Sequence, residues 1–103
     1  MTDMVLPSET NPLNNLFGGE LLARMDRAAS IAARRHSRRI SVTASVNHVA
    51  FYRSVPVGSV VTVEAAVCRA FKTSMDIYID VWMEDRISGE RIKANEAFYT
   101  FVA

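Results

Sequence analysis

Near the amino terminus, three groups of residues have the types and spacing to do chemistry: Asp26, the pair Gly18-Gly19, and the asparagines Asn11 and Asn15. Asp26 sits at the edge of an apolar stripe, four residues after Leu22 and three before Ala29, where burial disfavours the charged form of a carboxyl group. Such an acid is either a flank carboxylate paired with Arg27 or a neighbouring strand, or a partly desolvated group poised for proton transfer or attack. Gly18 and Gly19 are either plain entry-turn residues or a helix start whose free N–H groups stabilise an anion or a developing oxyanion. The two readings are compatible, since a missing Cβ also lets a substrate approach the backbone. Asn11 and Asn15 are turn formers in the simplest reading, and an amide near an acid can also position a carbonyl oxygen or a water.

Several chemistries are excluded. His36 and His48 lie far apart without metal-ligand spacing and Cys68 is the only cysteine, so no metal site is expected. No serine sits in a nucleophile-elbow context, and no glycine-rich loop matches a phosphate or dinucleotide fingerprint. Phe51, Tyr52, Phe98, Tyr99 and Phe101 suit core and interface positions better than a stacking platform for bases. The formal charge is +1, which offers no global attraction to nucleic acid or anionic membrane, although Arg34, Arg35, Arg38 and Arg39 are locally basic. The lone Cys68 reads as a buried thiol of a cytoplasmic protein. No apolar run reaches the roughly 20 residues that span a bilayer, and Met1-Thr2-Asp3-Met4 lacks the regions of a signal peptide.

The elements that position these residues follow from periodicity. With 103 residues, half of them hydrophobic, and four glycines, the chain is expected to fold as one domain over 1–103 around a packed core. Strong helix formers after Phe17-Gly18-Gly19 predict a helix from about Gly18 to about Arg35. Leu21, Leu22, Met25, Ala28, Ala29, Ala32 and Ala33 share its buried arc, and Arg24, Arg27, Ser30 and Arg34 the opposite one. After Arg39 the period becomes two: Ile40, Val42, Ala44, Val46 and His48 point one way, Ser41, Thr43, Ser45 and Asn47 the other. Turns at Val55-Pro56-Val57-Gly58, Phe71-Lys72-Thr73 and Arg86 to Glu90 separate strands at Val60 to Val67, Met75 to Met83 and Ile92 to Val102, with a short extra strand at Met4 to Leu6. The layout is α+β, an antiparallel sheet wrapped over a central helix. One sheet face and an edge stay uncovered, which predicts dimerisation through a continued sheet.

The run Thr10-Asn11-Pro12-Leu13-Asn14-Asn15-Leu16-Phe17-Gly18-Gly19-Glu20-Leu21-Leu22-Ala23-Arg24-Met25-Asp26 resembles the signature of the hotdog-fold acyl-CoA hydrolases. Val42-Thr43-Ala44-Ser45-Val46 followed by Phe51, then Pro56-Val57-Gly58, Thr73-Ser74-Met75 and the closing Glu96 to Ala103 are similar to the same family in the same order. The resemblance implies the hotdog fold, an acyl-CoA thioester as substrate, and Asp26 as the catalytic acid on the central helix, activating water or attacking directly. It places Asn11 as the motif's amide, Gly19 where a main-chain N–H polarises the thioester carbonyl beside Gly18, and Thr73 and Ser74 at the CoA moiety. Lys72, Arg53 and Arg69 are the basic candidates for its phosphates, each of which a solvated surface role also explains. No cofactor is expected beyond the CoA of the substrate. Dimers, and trimers of dimers, are implied, with sites between subunits and Asn11 of one facing Asp26 of the other. Asn14 and Phe71 stand where the family has glycine, and nucleotide contacts made by tail residues of longer relatives are not expected. The alternative on the same fold is a non-catalytic module that binds acyl-CoA or acyl carrier. A hydratase built on an Asp and His pair is disfavoured, because no histidine lies near Asp26 or Asn11.

Overall fold

The computed structural model describes residues 1–16 and 18–102; Phe17 of the glycine signature and Ala103 of the closing segment lie outside the described residues. The elements are β1 (Thr2–Met4), a 3-10 turn (Pro7–Glu9), α1 (Gly18–Ser37), β2 (Val42–Phe51), β3 (Val60–Ala70), β4 (Ser74–Glu84) and β5 (Arg91–Val102). The strands form one antiparallel sheet in the order β1-β3-β4-β5-β2. The expected α+β layout is present, with two shifts: the first strand lies at Thr2–Met4 rather than Met4 to Leu6, and the helix continues to Ser37.

Alternation explains the core. On β4 the odd residues Met75, Ile77, Ile79 and Val81 are buried beneath α1, and their β5 partners Phe101, Tyr99, Ala97 and Asn95 share that face. Leu21, Met25, Ala28, Ala29 and Ala33 of α1 pack onto it. The three alanines keep the helix close to the sheet, and each large aliphatic or aromatic side chain fully buried there stabilises the fold by about 1.5–3 kcal/mol. The helix stops without glycine: Arg38 takes a left-handed φ of 61° and its N–H bonds Arg34 O at 2.8 Å, while Ser37 Oγ accepts from Arg39 N at 3.1 Å.

Three expectations are corrected. Arg24 is not on a solvent arc; it is 1% exposed, and its Nη2 donates to Met4 O at 3.1 Å and Glu9 Oε1 at 2.9 Å. The amino-terminal segment folds back over this part of α1, so the helix has a second buried side. Cys68 is exposed rather than buried, because it lies on the sheet face away from α1, where its thiol bonds Asp76 O at 3.3 Å. Strict alternation along β2 also fails. Its pairing with β5 slips by one residue between Thr43 and Ser45 and again between Asn47 and Ala50, where His48 has a φ of 54°. Thr43, opposite Phe101, and Val46, opposite Tyr99, therefore share the helix face, whereas Val42 and Asn47 face away. β2 is the sheet's edge and is exposed along most of its length.

Candidate active site

The Asn11 turn is built by its own side chain. Asn11 Oδ1 accepts from Leu13 N at 3.0 Å and Asn15 N at 3.1 Å, and Asn11 N bonds Asn15 O at 2.8 Å. Asn14 has a φ of 60°. The glycine that the resemblance places there is thus replaced by one of the few residue types that tolerate a left-handed backbone. The turn is fastened to the segment after β2 through Leu16 N to Val55 O at 2.7 Å and Val57 N to Asn14 O at 2.8 Å. With its carbonyl oxygen spent, Asn11 keeps its Nδ2 to offer.

Between this turn, the start of α1 and the exit of β2 lies a pocket of about 430 Å³ whose walls include Asn11, Gly18, Leu21, Phe51, Arg53 and Asn95. Of the sequence candidates it gathers Asn11, Asn15, Gly18 and Arg53. A second pocket of about 300 Å³ is lined by His36, Arg39, Phe71, Lys72, Thr73 and Ser74. The turn there is closed by Phe71 N to Ser74 O at 2.8 Å, and Phe71 forms part of the wall instead of the family's glycine. Lys72, Thr73 and Ser74 are therefore together, and apart from Arg53.

Asp26 lines neither pocket. It is half-buried and its Oδ1 accepts from Thr43 Oγ1 at 2.5 Å. Among the described residues it makes no ion pair, so the pairing with Arg27 is absent and the neighbouring strand supplies its partner. The Tyr99 hydroxyl donates to Leu22 O at 3.1 Å. Burial first, and the Asp26 charge second, push the Tyr99 phenol up to about 12. A Cβ built on Gly18 or Gly19 meets no atom within 4 Å, so packing within the protomer does not demand glycine at either position.

Sequence reasoning missed Thr43 and Asn95. Thr43 was assigned to the wrong face because the slip in β2 is not legible. Asn95 did leave a signal: the buried series Phe101, Tyr99, Ala97 continues at the same spacing onto an asparagine. Among the described residues, no helix is long and apolar enough to cross a membrane.

The profile of the thioesterase superfamily matches residues 13–90. The uncharacterized acyl-CoA thioester hydrolase YkhA of Bacillus subtilis (strain 168) is 41% identical over 102 residues, 99% of this chain and 59% of that protein. The chain thus spans less than two thirds of that relative's length. The crystal structure of an acyl-CoA hydrolase from Bacillus cereus superposes with a TM-score of 0.95 at 44% identity, covering 100% of this chain and 63% of that one. A hexameric hotdog fold thioesterase of Campylobacter jejuni superposes with a TM-score of 0.91 at 32% identity, covering 99% and 79%. The chain belongs to the thioesterase superfamily, and its fold is the hotdog fold.

Proposed function

We propose that the protein hydrolyses acyl-CoA thioesters to the free acid and CoA, with Asp26 as general base or nucleophile. The observation that carries this reading is Asp26 itself: a half-buried carboxylate held by Thr43, with no ion pair among the described residues, in a chain of this family. The thioester carbonyl would be polarised at the start of α1, where the first N–H groups of Gly18 and Gly19 have no intrahelical acceptor and the dipole is positive. Asn11, its oxygen locked in the turn, would donate from Nδ2. Thr73 and Ser74, with Lys72, would contact the CoA moiety at the second pocket, and Arg53 would meet charge near the first. No cofactor is needed beyond the CoA of the substrate.

Helix geometry supports a site shared by two subunits. Gly19 and Asp26 are seven residues apart on α1, about 10 Å along the axis, too far for both to act on one carbonyl. An acid from a second protomer removes the difficulty, and the exposed edge strand β2 offers the contact. We therefore infer a homodimer as the smallest active unit; the Campylobacter jejuni relative is hexameric. Release of CoA from acyl-CoA by the purified protein tests the reading. Asp26→Asn should lower turnover by about a hundredfold or more while the fold is kept. A folded Asp26→Asn protein within a few-fold of the parent would overturn the role of Asp26, and acyl-CoA binding without turnover in the parent would make the chain a binding module.

A further inference from the structure

Asn95 lies on the face of β5 toward α1 and lines the pocket at the start of that helix. It is 0% exposed, and neither its Nδ2 nor its Oδ1 has a hydrogen-bond partner among the described residues. Leaving a buried donor or acceptor unpaired costs free energy, and most buried side-chain polar atoms are paired. A valine or leucine at this strand position would carry no such cost. A break in the strand pairing lies directly beside the amide. The pairing of β4 with β5 slips between Val81 and Trp82, opposite Asn95 and Lys93, so that Ala94 is an extra residue and both Ala94 and Asn95 are buried. The Ala94 carbonyl accepts from Tyr52 N at 2.8 Å and Arg53 N at 3.2 Å. The bulge next to Asn95 therefore fixes the pocket's far wall.

Because bulk water does not reach the amide, the partner it lacks has to be something that the pocket receives. If thioesters are hydrolysed at the start of α1, an acyl chain leaving the carbonyl there runs among Leu16, Leu21, Phe51 and Val55 toward Asn95. A saturated chain leaves both polar atoms unpaired. A hydroxyl group accepts from Nδ2 and donates to Oδ1 at once. We propose that Asn95 is a specificity-determining residue that selects acyl groups carrying a hydroxyl over saturated acyl groups of the same length. This rests on the thioesterase reading for the placement of the acyl chain.

The test separates the two. Affinities of the Asp26→Asn protein, in which turnover is blocked, are measured for butyryl-CoA and for 2-, 3- and 4-hydroxybutyryl-CoA, and turnover of the same compounds is measured with the parent. At least one hydroxyacyl-CoA should bind about tenfold or more tighter than butyryl-CoA, since a site built to hydrogen-bond a hydroxyl discriminates against the analogue without it. Adding Asn95→Leu or Asn95→Val, two apolar replacements that suit the buried strand position, should bring the ratio close to one. Equal affinities in the Asp26→Asn protein, or a preference that survives both replacements in folded protein, overturns the selection. A preference for hydroxyacyl-CoA with no hydrolysis by the parent overturns the thioesterase reading and leaves the selection standing.

Discussion

Asn95 and Glu96 are neighbours on β5 and live in opposite circumstances. Glu96, on the sheet face away from α1, accepts from the Tyr52 hydroxyl, from the Tyr78 hydroxyl at 2.5 Å and from Lys93 Nζ at 3.3 Å. Lys93 in turn lies 2.8 Å from Asp80 Oδ1 and 2.9 Å from the Tyr78 hydroxyl. The Tyr52 hydroxyl first and the Tyr78 hydroxyl second hold the Glu96 carboxyl down to about 2, and the Glu96 carboxylate pushes the Tyr78 phenol up to about 12. On the other face the Asn95 side chain has no hydrogen-bond partner among the described residues, and Asp26 has one hydroxyl and no ion pair among them. A polar group that is fully paired strengthens the fold that holds it; one that is buried and left waiting is explained by what it will meet.

The sharpest way to break this contrast lies on the helix side. Asn11→Ala and Asp26→Ala should each be nearly inactive. When the two proteins are unfolded together and reassembled at random, about half the dimers are mixed and carry one intact site of two, so activity should return to about a quarter of the parental value. No recovery above the single variants, with subunit exchange confirmed by mass spectrometry, would place both residues in one subunit. Next in size, Gly19→Val should lower turnover at least about tenfold by crowding the carbonyl at the helix start. Its thermal midpoint should stay within a few degrees of the parent, because no atom lies within 4 Å of the new Cβ. A collapsed midpoint with full activity in the residual folded protein would make the glycine structural. Smallest for activity is Glu96→Gln on the opposite face: turnover within about twofold, and stability lower by on the order of 1 kcal/mol, about 4–8 °C for a chain of this size. Since the folded carboxyl titrates below its ordinary 4.5, its contribution is complete above that pH and is lost as pH falls toward about 2. The gap between parent and Glu96→Gln in urea melts should therefore close over that range, and a constant gap would refute the role given to the carboxylate.

Where each element had one partner surface, the sequence was enough to read it. The apolar arc of α1 and the alternation along β4 and β5 each report a single buried face, and the structure has both. Arg24 was misread because the surface that buries it comes from Met4 and Glu9, 20 and 15 residues earlier in the chain, and a helical wheel knows only the helix. β2 was misread because a slip in register depends on the partner strand, so Thr43 could not be set beside Asp26 from its own neighbours. The motif residues Asn11, Gly18, Thr73 and Ser74 fall at pocket walls. Their assembly with Asp26 rests on the resemblance and on the second subunit proposed above, because one chain alone does not bring Asp26 to either pocket.

The one-residue slip at the start of β2 also bears on how this chain can change over generations. Substitutions along an exposed edge are cheap, so the lettering of β2 is free to drift. Its register is not. With the same residues in regular alternation from Val46 back, Thr43 would stand opposite Val102 on the face away from α1, and Asp26 would lose the hydroxyl that holds it. The bulge at Ala44 is thus the feature that has to persist, a constraint written in the pairing of the strand rather than in the identity of its residues.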